Sequence, residues 1–406
     1  MKAKAGEVRQ QCLARVGKIT ALALVLAGLV WQGTRTPALV DPSAGDYEAY
    51  WMAARLLLTG GNPYDLDAVA ALQGVPPLQN GSVKVAWNPP WALAVMLPFG
   101  LVEFPLSRML WFLLILVALF ASVSVFWLRD GGPLSRRWVA ALLCILFPPA
   151  LLALWNGQMT PLLLAGIAGF LHSGAQGRWG RAGAFLALGA LKPHLLCLFW
   201  GVCVLWGVHH RRWQIAAGLG ITLAVAVGAV ACVDPLILSR YQEMMAGDPA
   251  LPPLTLTATT GAMLRLLLGA EKAWLQTAPL AVGACWAGLY YWRRRRSWDW
   301  MEHTPLLLAA SVIVTPYAWP PDYVLLLPAI LQAATRVSGA GTRPIGLALL
   351  FYVPVVAACF TVWFSGVAGV WHAWQPWAVL GACLIARKLA TPARIPSTAS
   401  NLGTLR

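Results

Sequence analysis

Asp46 stands in the stretch Ser43-Ala44-Gly45-Asp46-Tyr47-Glu48-Ala49-Tyr50-Trp51, directly after the first long apolar run of the chain. A carboxylate at the boundary of water and lipid is placed where a protein acting on lipid-linked substrates needs a general base. The same residue type is also favoured as a helix N-cap, and the amphipathic stretch Tyr47–Thr59 that follows could use one, so both roles are open here. Four further polar clusters interrupt the apolar sequence. They are Gly61-Asn62-Pro63-Tyr64-Asp65, Trp155-Asn156-Gly157-Gln158, Leu191-Lys192-Pro193-His194 and the run from Pro316 to Tyr323. Lys192 is the only Lys or Arg between Arg181 and Arg211. Asp65-Leu66-Asp67 has the spacing of a metal-binding Asp-x-Asp, but as a lone match, and no metal site is assigned. Cysteine offers no alternative, since the eight Cys contain no Cys-x-x-Cys pair and read as small buried apolar residues.

The elements that must position these groups are membrane helices. The 406 residues are 59% hydrophobic and 11% charged, and the apolar residues come in long runs. Spans are expected at 16–33, 109–128, 138–154, 159–172, 179–191, 193–208, 213–233, 273–292, 304–319, 321–335, 344–364 and 368–386. The basic N-terminus followed by Ile19–Trp31 reads as a retained anchor rather than a cleaved leader. With both termini inside, most of the 30 Lys and Arg fall on inner segments, against only Glu7, Asp130, Asp299 and Glu302 of the 15 acids. This is the positive-inside bias. It disperses the formal charge of +15 over short loops and leaves no basic face for nucleic acid.

The run Val85–Val102 cannot be a span without placing Arg293-Arg294-Arg295-Arg296 outside, so it is expected to lie in the membrane surface or re-enter it. Residues 34–108 then form one outer loop with short helices of its own, and 234–272 a second. Pro193, Pro316, Pro320 and Pro321 break spans on the same outer side, which points to one outward-facing cavity. Residues 1–390 make a single polytopic domain, with 391–406 a polar cytoplasmic tail expected to be disordered. Glu48 is expected to face water, and His209, His210 and His303 to be solvated on the inner side. His372 is expected to join Trp371 and Trp374 in an interfacial aromatic belt.

The pattern Asp-Tyr-x-x-Tyr-x-x-Ala-x-x-Leu-x-x-Gly-x-Asn-Pro-Tyr-Asp, spread over Asp46–Asp65 with one additional residue before the Gly, resembles the first outer loop of family 87 glycosyltransferases. Asn88-Pro89-Pro90, Gly157-Gln158, Lys192-Pro193, Pro316-Tyr317 and Asp322 follow in the family's order. The chain departs from the family in one place, where Pro321 precedes Asp322 and members often carry Tyr-Asp or a His pair.

The resemblance implies an all-α integral membrane protein of the C-type glycosyltransferase fold, here with about 12 transmembrane helices, in a bacterial inner membrane. It implies a polyprenyl-phosphate sugar as donor, a glycolipid or glycan as acceptor, membrane lipids as surroundings, and no cofactor or metal. A hexosyl residue, with mannosyl as the candidate, would be transferred with inversion on the outer face. Asp46 would be the base. Lys192, Arg55 and His194 would hold the donor phosphate, Lys192 having snorkelling to the headgroups as its plainer role. Tyr50, Tyr64, Asn88, Asn156, Gln158, Trp319 and Asp322 would contact sugar or acceptor. Asp322 could equally pair with Lys192 or cap a helix. A transporter or flippase of a lipid-linked sugar is the competing class. It would put charges near the span centres, and this sequence keeps Lys192 and Asp322 at span ends.

Overall fold

The computed structural model describes residues 45–74, 84–247, 257–338 and 369–389, with 353, 356 and 357. The expected spans 16–33 and 344–364 and the tail 391–406 lie outside these residues, as do Cys12 and Cys359. Among the described residues the structure is entirely helical, and the described cysteines are free.

The described part of the segment expected as the first outer loop holds three short helices, α1 (Tyr47–Leu58), α2 (Leu66–Gln73) and α3 (Pro90–Gly100). Tyr47, Tyr50, Ala53, Ala54 and Leu57 recur at helical spacing and bury one face of α1, Ala54 meeting Gly100 of α3 and the two tyrosines packing on Trp111. Gly60, at φ 81°, ends that helix. Asp65 caps α2, its Oδ1 accepting from the N–H of Asp67 at 2.9 Å and of Ala68 at 3.3 Å. The Asp-x-Asp spacing is thus a helix cap. Pro90 opens α3 at a position where its missing N–H costs nothing. The 11 residues of α3 cover only ~16 Å of the ~30 Å hydrocarbon layer, so Val85–Val102 does not cross on this helix.

Among the described residues two helices are long and apolar enough to cross a membrane, α4 (Phe104–Arg129) and, below, α10. A third is possible if α5 (Arg137–Ile145) and α6 (Pro148–Trp155) count as one span, but they are bent by 73°. Pro148-Pro149 causes the bend, since a residue before proline leaves the helical region. The rest of the bundle is α7 (Thr160–Gly174), α8 (Trp179–Gly189), α9 (Cys197–His209), α10 (Trp213–Ala231), α11 (Ile237–Gly247), α12 (Thr260–Leu268), α13 (Ala278–Arg294), α14 (Trp300–Val314), α15 (Leu327–Ser338) and α16 (Gln375–Leu389). Several are short apolar helices, so the described residues hold two or three spans by length and composition, not the series of full spans expected. Proline-opened 3-10 turns at Pro193–Leu196 and Pro320–Leu326 account for two of the short pieces. Small residues hold α8 between its neighbours. A Cβ on Gly183 would meet Ile215 O at 2.1 Å, and one on Gly218 would meet Gly180 O at 1.9 Å, so α8 and α10 touch through their backbones. The outward face of α10 shows Ile221 and Val225 to the surroundings, as a lipid-facing helix does.

Candidate active site

The site begins with two loops locked together. The N–H groups of Asp46 and Tyr47 both donate to Asn156 O, at 3.0 and 3.1 Å. This contact needs Gly45, at φ 99°, whose Cβ would fall 2.8 Å from the Asn156 backbone. It also needs Gly157, at φ 64°, whose Cβ would fall 2.5 Å from Tyr47 Cβ. Trp111 closes the joint by donating from Nε1 to Gly157 O at 2.7 Å and stacking on Tyr47. Gly157→Ala therefore combines a left-handed backbone with a clash, on the order of 1–3 kcal/mol of stability. We expect a lower melting temperature in detergent; an unchanged one would show that the joint yields freely.

Backbone bonds, not the carboxylate, anchor the start of α1. The Asp46 side chain makes no capping bond and lines a cavity of about 750 Å³. It is open to that cavity but surrounded by protein. Burial raises its pKa above the usual carboxylate value, an effect that Lys192 and Lys84 partly offset and Asp322 reinforces. A base at the wall of a cavity suits proton transfer from a bound hydroxyl.

Lys192 faces Asp46 from the break between α8 and the turn Pro193–Leu196. Its Nζ lies 2.9 Å from Asp322 Oδ1 and donates to Gln158 Oε1 at 2.6 Å. Burial works against its charge, but Asp322 outweighs that and holds the ammonium above the ordinary lysine value. Tyr50 donates to the same Gln158 oxygen at 3.3 Å. Asp322 is fully buried and accepts in addition from Thr160 Oγ1 at 2.8 Å and Trp319 N at 2.9 Å.

The structure thus gathers Asp46, Tyr50, Asn88, Asn156, Gln158, Lys192, His194 and Trp319 around one cavity. His194 Nε2 is buried with no partner among the described residues. Asn88 is oriented by Leu191 O, which its Nδ2 meets at 3.3 Å.

Three expected ligands are placed elsewhere. Arg55 donates to Gly100 O at 3.1 Å and reaches Glu103 at 3.5 Å, so it braces α1 against α3 and does not line the cavity. Tyr64 also lies off the cavity wall and donates to Asn88 O at 3.0 Å, which makes it a support for that loop. Asp322 does not line the cavity; it stands behind Lys192, paired with it and capping the turn Pro320–Leu326, the other two roles open to it in the sequence.

Other expectations are corrected too. Glu48 is buried and pairs with Lys84 at 3.1 Å instead of facing water. His303 is buried and bonded to the Tyr290 hydroxyl, whereas His209 and His210 are exposed as expected. His372 lines the cavity rather than an interfacial belt. Sequence reasoning missed Lys84, which joins α1 through a contact 36 residues away, and Tyr241 of α11, which also lines the cavity. Neither has a local signal. Tyr317 had one, as part of the polar run that contains Trp319.

Among the described residues no cluster of three His, Cys, Asp or Glu could hold a metal ion. Compared with known families, the sequence matches glycosyltransferase family 87 over residues 87–316. No curated protein matches the chain, and no solved structure does. The matched segment takes in Asn88, Asn156, Gln158, Lys192 and His194 and stops short of Asp46 on one side and Asp322 on the other. Since the match covers more than half of its length, the chain belongs to glycosyltransferase family 87.

Proposed function

We propose that this membrane glycosyltransferase moves a hexosyl residue, mannosyl being the candidate, from a polyprenyl-phosphate sugar to a glycolipid or glycan acceptor on the outer face of a bacterial inner membrane. The observation that carries this reading is the pairing in one cavity of a carboxylate that makes no capping bond, Asp46, with a buried, fixed cation, Lys192. The acceptor hydroxyl gives its proton to Asp46 as its oxygen attacks the anomeric carbon. The bond from that carbon to the phosphate oxygen breaks, and its electron pair stays on the phosphate, which goes from one negative charge to two. Lys192 opposes that growing charge where water is scarce. His194 is proposed to assist at the phosphate. Tyr50, Asn88, Asn156, Gln158 and Trp319 are proposed to hold sugar or acceptor. A phosphate monoester leaving group with a lysine beside it needs no divalent ion, so the reaction is proposed to be metal-independent.

The test is transfer by the purified protein in nanodiscs from a panel of radiolabelled polyprenyl-phosphate sugars, in EDTA and in Mg²⁺, with host lipids as acceptors. One donor is expected to give labelled product in both buffers. Donor binding without transfer, but with flux across liposomes, would make the protein a flippase instead. The pH profile adds a sign. Asp46 works only when ionised, and its pKa is raised. The kcat/KM is therefore full above that pKa and lost as pH falls through it, with an acidic limb above pH ~4, the ordinary carboxylate value. A rate unchanged down to pH ~4 would remove Asp46 as the base.

A further inference from the structure

Tyr317 lines the cavity with a polar group that the mechanism above does not use. It lies in the loop between α14 and the turn Pro320–Leu326, lines the cavity, and packs edge-on against His194 at 5.6 Å. Its hydroxyl oxygen accepts from Trp319 Nε1 at 2.8 Å. That bond fixes the phenol and leaves its own proton unassigned. No acceptor for it is present among the described residues, whereas the Tyr50 and Tyr64 hydroxyls are donated to Gln158 and Asn88. The phenol is within electrostatic reach of both Lys192 and Asp46.

Lys192 meanwhile has three N–H donors, and two are committed to Gln158 and Asp322. One remains for a phosphoryl group whose oxygens accept several hydrogen bonds.

We propose that Tyr317 is a further catalytic residue, donating its hydroxyl proton as a hydrogen bond to the phosphate oxygens of the leaving group beside Lys192. It rests on the glycosyl-transfer reading of the cavity. The proton is shared, not transferred. The phenol remains neutral, Asp46 keeps the acceptor's proton, and the electron pair of the broken bond stays on the phosphate. The hydrogen bond strengthens as the phosphate charge grows, which is what a transition-state contact must do.

Tyr317→Phe keeps the ring and its packing on His194 and removes only the hydroxyl. Loss of one hydrogen bond to a charged oxygen predicts about 10- to 100-fold slower transfer, mainly in kcat, with the acceptor KM little changed. Farnesyl phosphate serves as a short leaving-group probe and farnesol as its uncharged control, both read by tryptophan fluorescence. The variant should bind farnesyl phosphate at least about fivefold more weakly than wild type and farnesol equally well. A merely structural tyrosine would weaken both alike or neither, and either pattern overturns the proposal. So does a variant that transfers sugar at the wild-type rate while Asp46→Asn is inactive. If wild type transfers sugar from no donor, the glycosyl-transfer reading falls by itself. The phosphate contact is then judged by farnesyl phosphate binding alone, and a wild type that does not bind that probe overturns it as well.

Discussion

Asp46→Asn is expected to leave the protein folded and to slow sugar transfer by at least about a hundredfold, the lower range for removing a general base. The substitution keeps the side-chain shape and removes the ability to take a proton. Two roles compete for this residue, and their magnitudes separate them. A capping Asp contributes about 0.5–2 kcal/mol to stability and almost nothing to the chemical step. A base contributes to the step and little to stability. The structure favours the second, because α1 begins on backbone bonds to Asn156 and the carboxylate makes no capping bond. Burial with a raised pKa even makes the ionised side chain mildly unfavourable in the fold, so Asn should melt at or slightly above the wild-type temperature. The measurement is transfer rate and melting temperature on the same preparation. A variant with normal transfer and a lowered melting temperature would return Asp46 to the capping role.

How much of this was legible in the sequence depended on whether the signal was local. Helix α1 was readable from Ala49, Met52, Ala53, Leu56 and Leu57 at helical spacing and from Gly60-Gly61 after them. Charge bookkeeping made Val85–Val102 a segment expected not to cross, and the 11 residues of α3 are short for a span. The gathering of Asp46, Gln158, Lys192 and Trp319 followed from placing the proline breaks on one side. What failed was side-chain direction. Arg55 and Asp46 are nine positions apart, which on a helix of 3.6 residues per turn turns them about half a revolution from one another. Arg55 accordingly reaches Gly100 and Glu103 instead of the cavity. The pairing of Glu48 with Lys84 and the placing of Tyr241 and His372 depend on contacts across long stretches of chain, which no spacing encodes. Among the described residues two or three of the expected spans are matched by length and composition. Phe147-Pro148-Pro149 breaks the run 138–154 into two helices bent by 73°, whereas the turns at Pro193 and Pro320 fall at the boundaries expected for 193–208 and 321–335.

The second large effect is expected at Asp322, which does not line the cavity. Asp322→Ala leaves the Lys192 ammonium in a nearly dry site without its partner, and also strands Thr160 Oγ1 and Trp319 N. Removing one member of a buried ion pair costs about 3–5 kcal/mol, because the other charge remains uncompensated. A marked fall in melting temperature should follow, together with loss of transfer, since a lysine that is neutral or displaced cannot oppose the phosphate charge. Activity alone cannot tell a collapsed site from a missing cation, and the double variant Lys192→Met/Asp322→Leu separates them. Replacing both charges with apolar groups removes the desolvation penalty along with the attraction, so stability should return to near wild type. Transfer should not return, because the cation is gone. Recovery of both would mean that the pair is structural and that some other group holds the phosphate. Failure to recover stability would mean that the bonds from Asp322 to Thr160 and Trp319, rather than the charge on Lys192, hold this part of the bundle together.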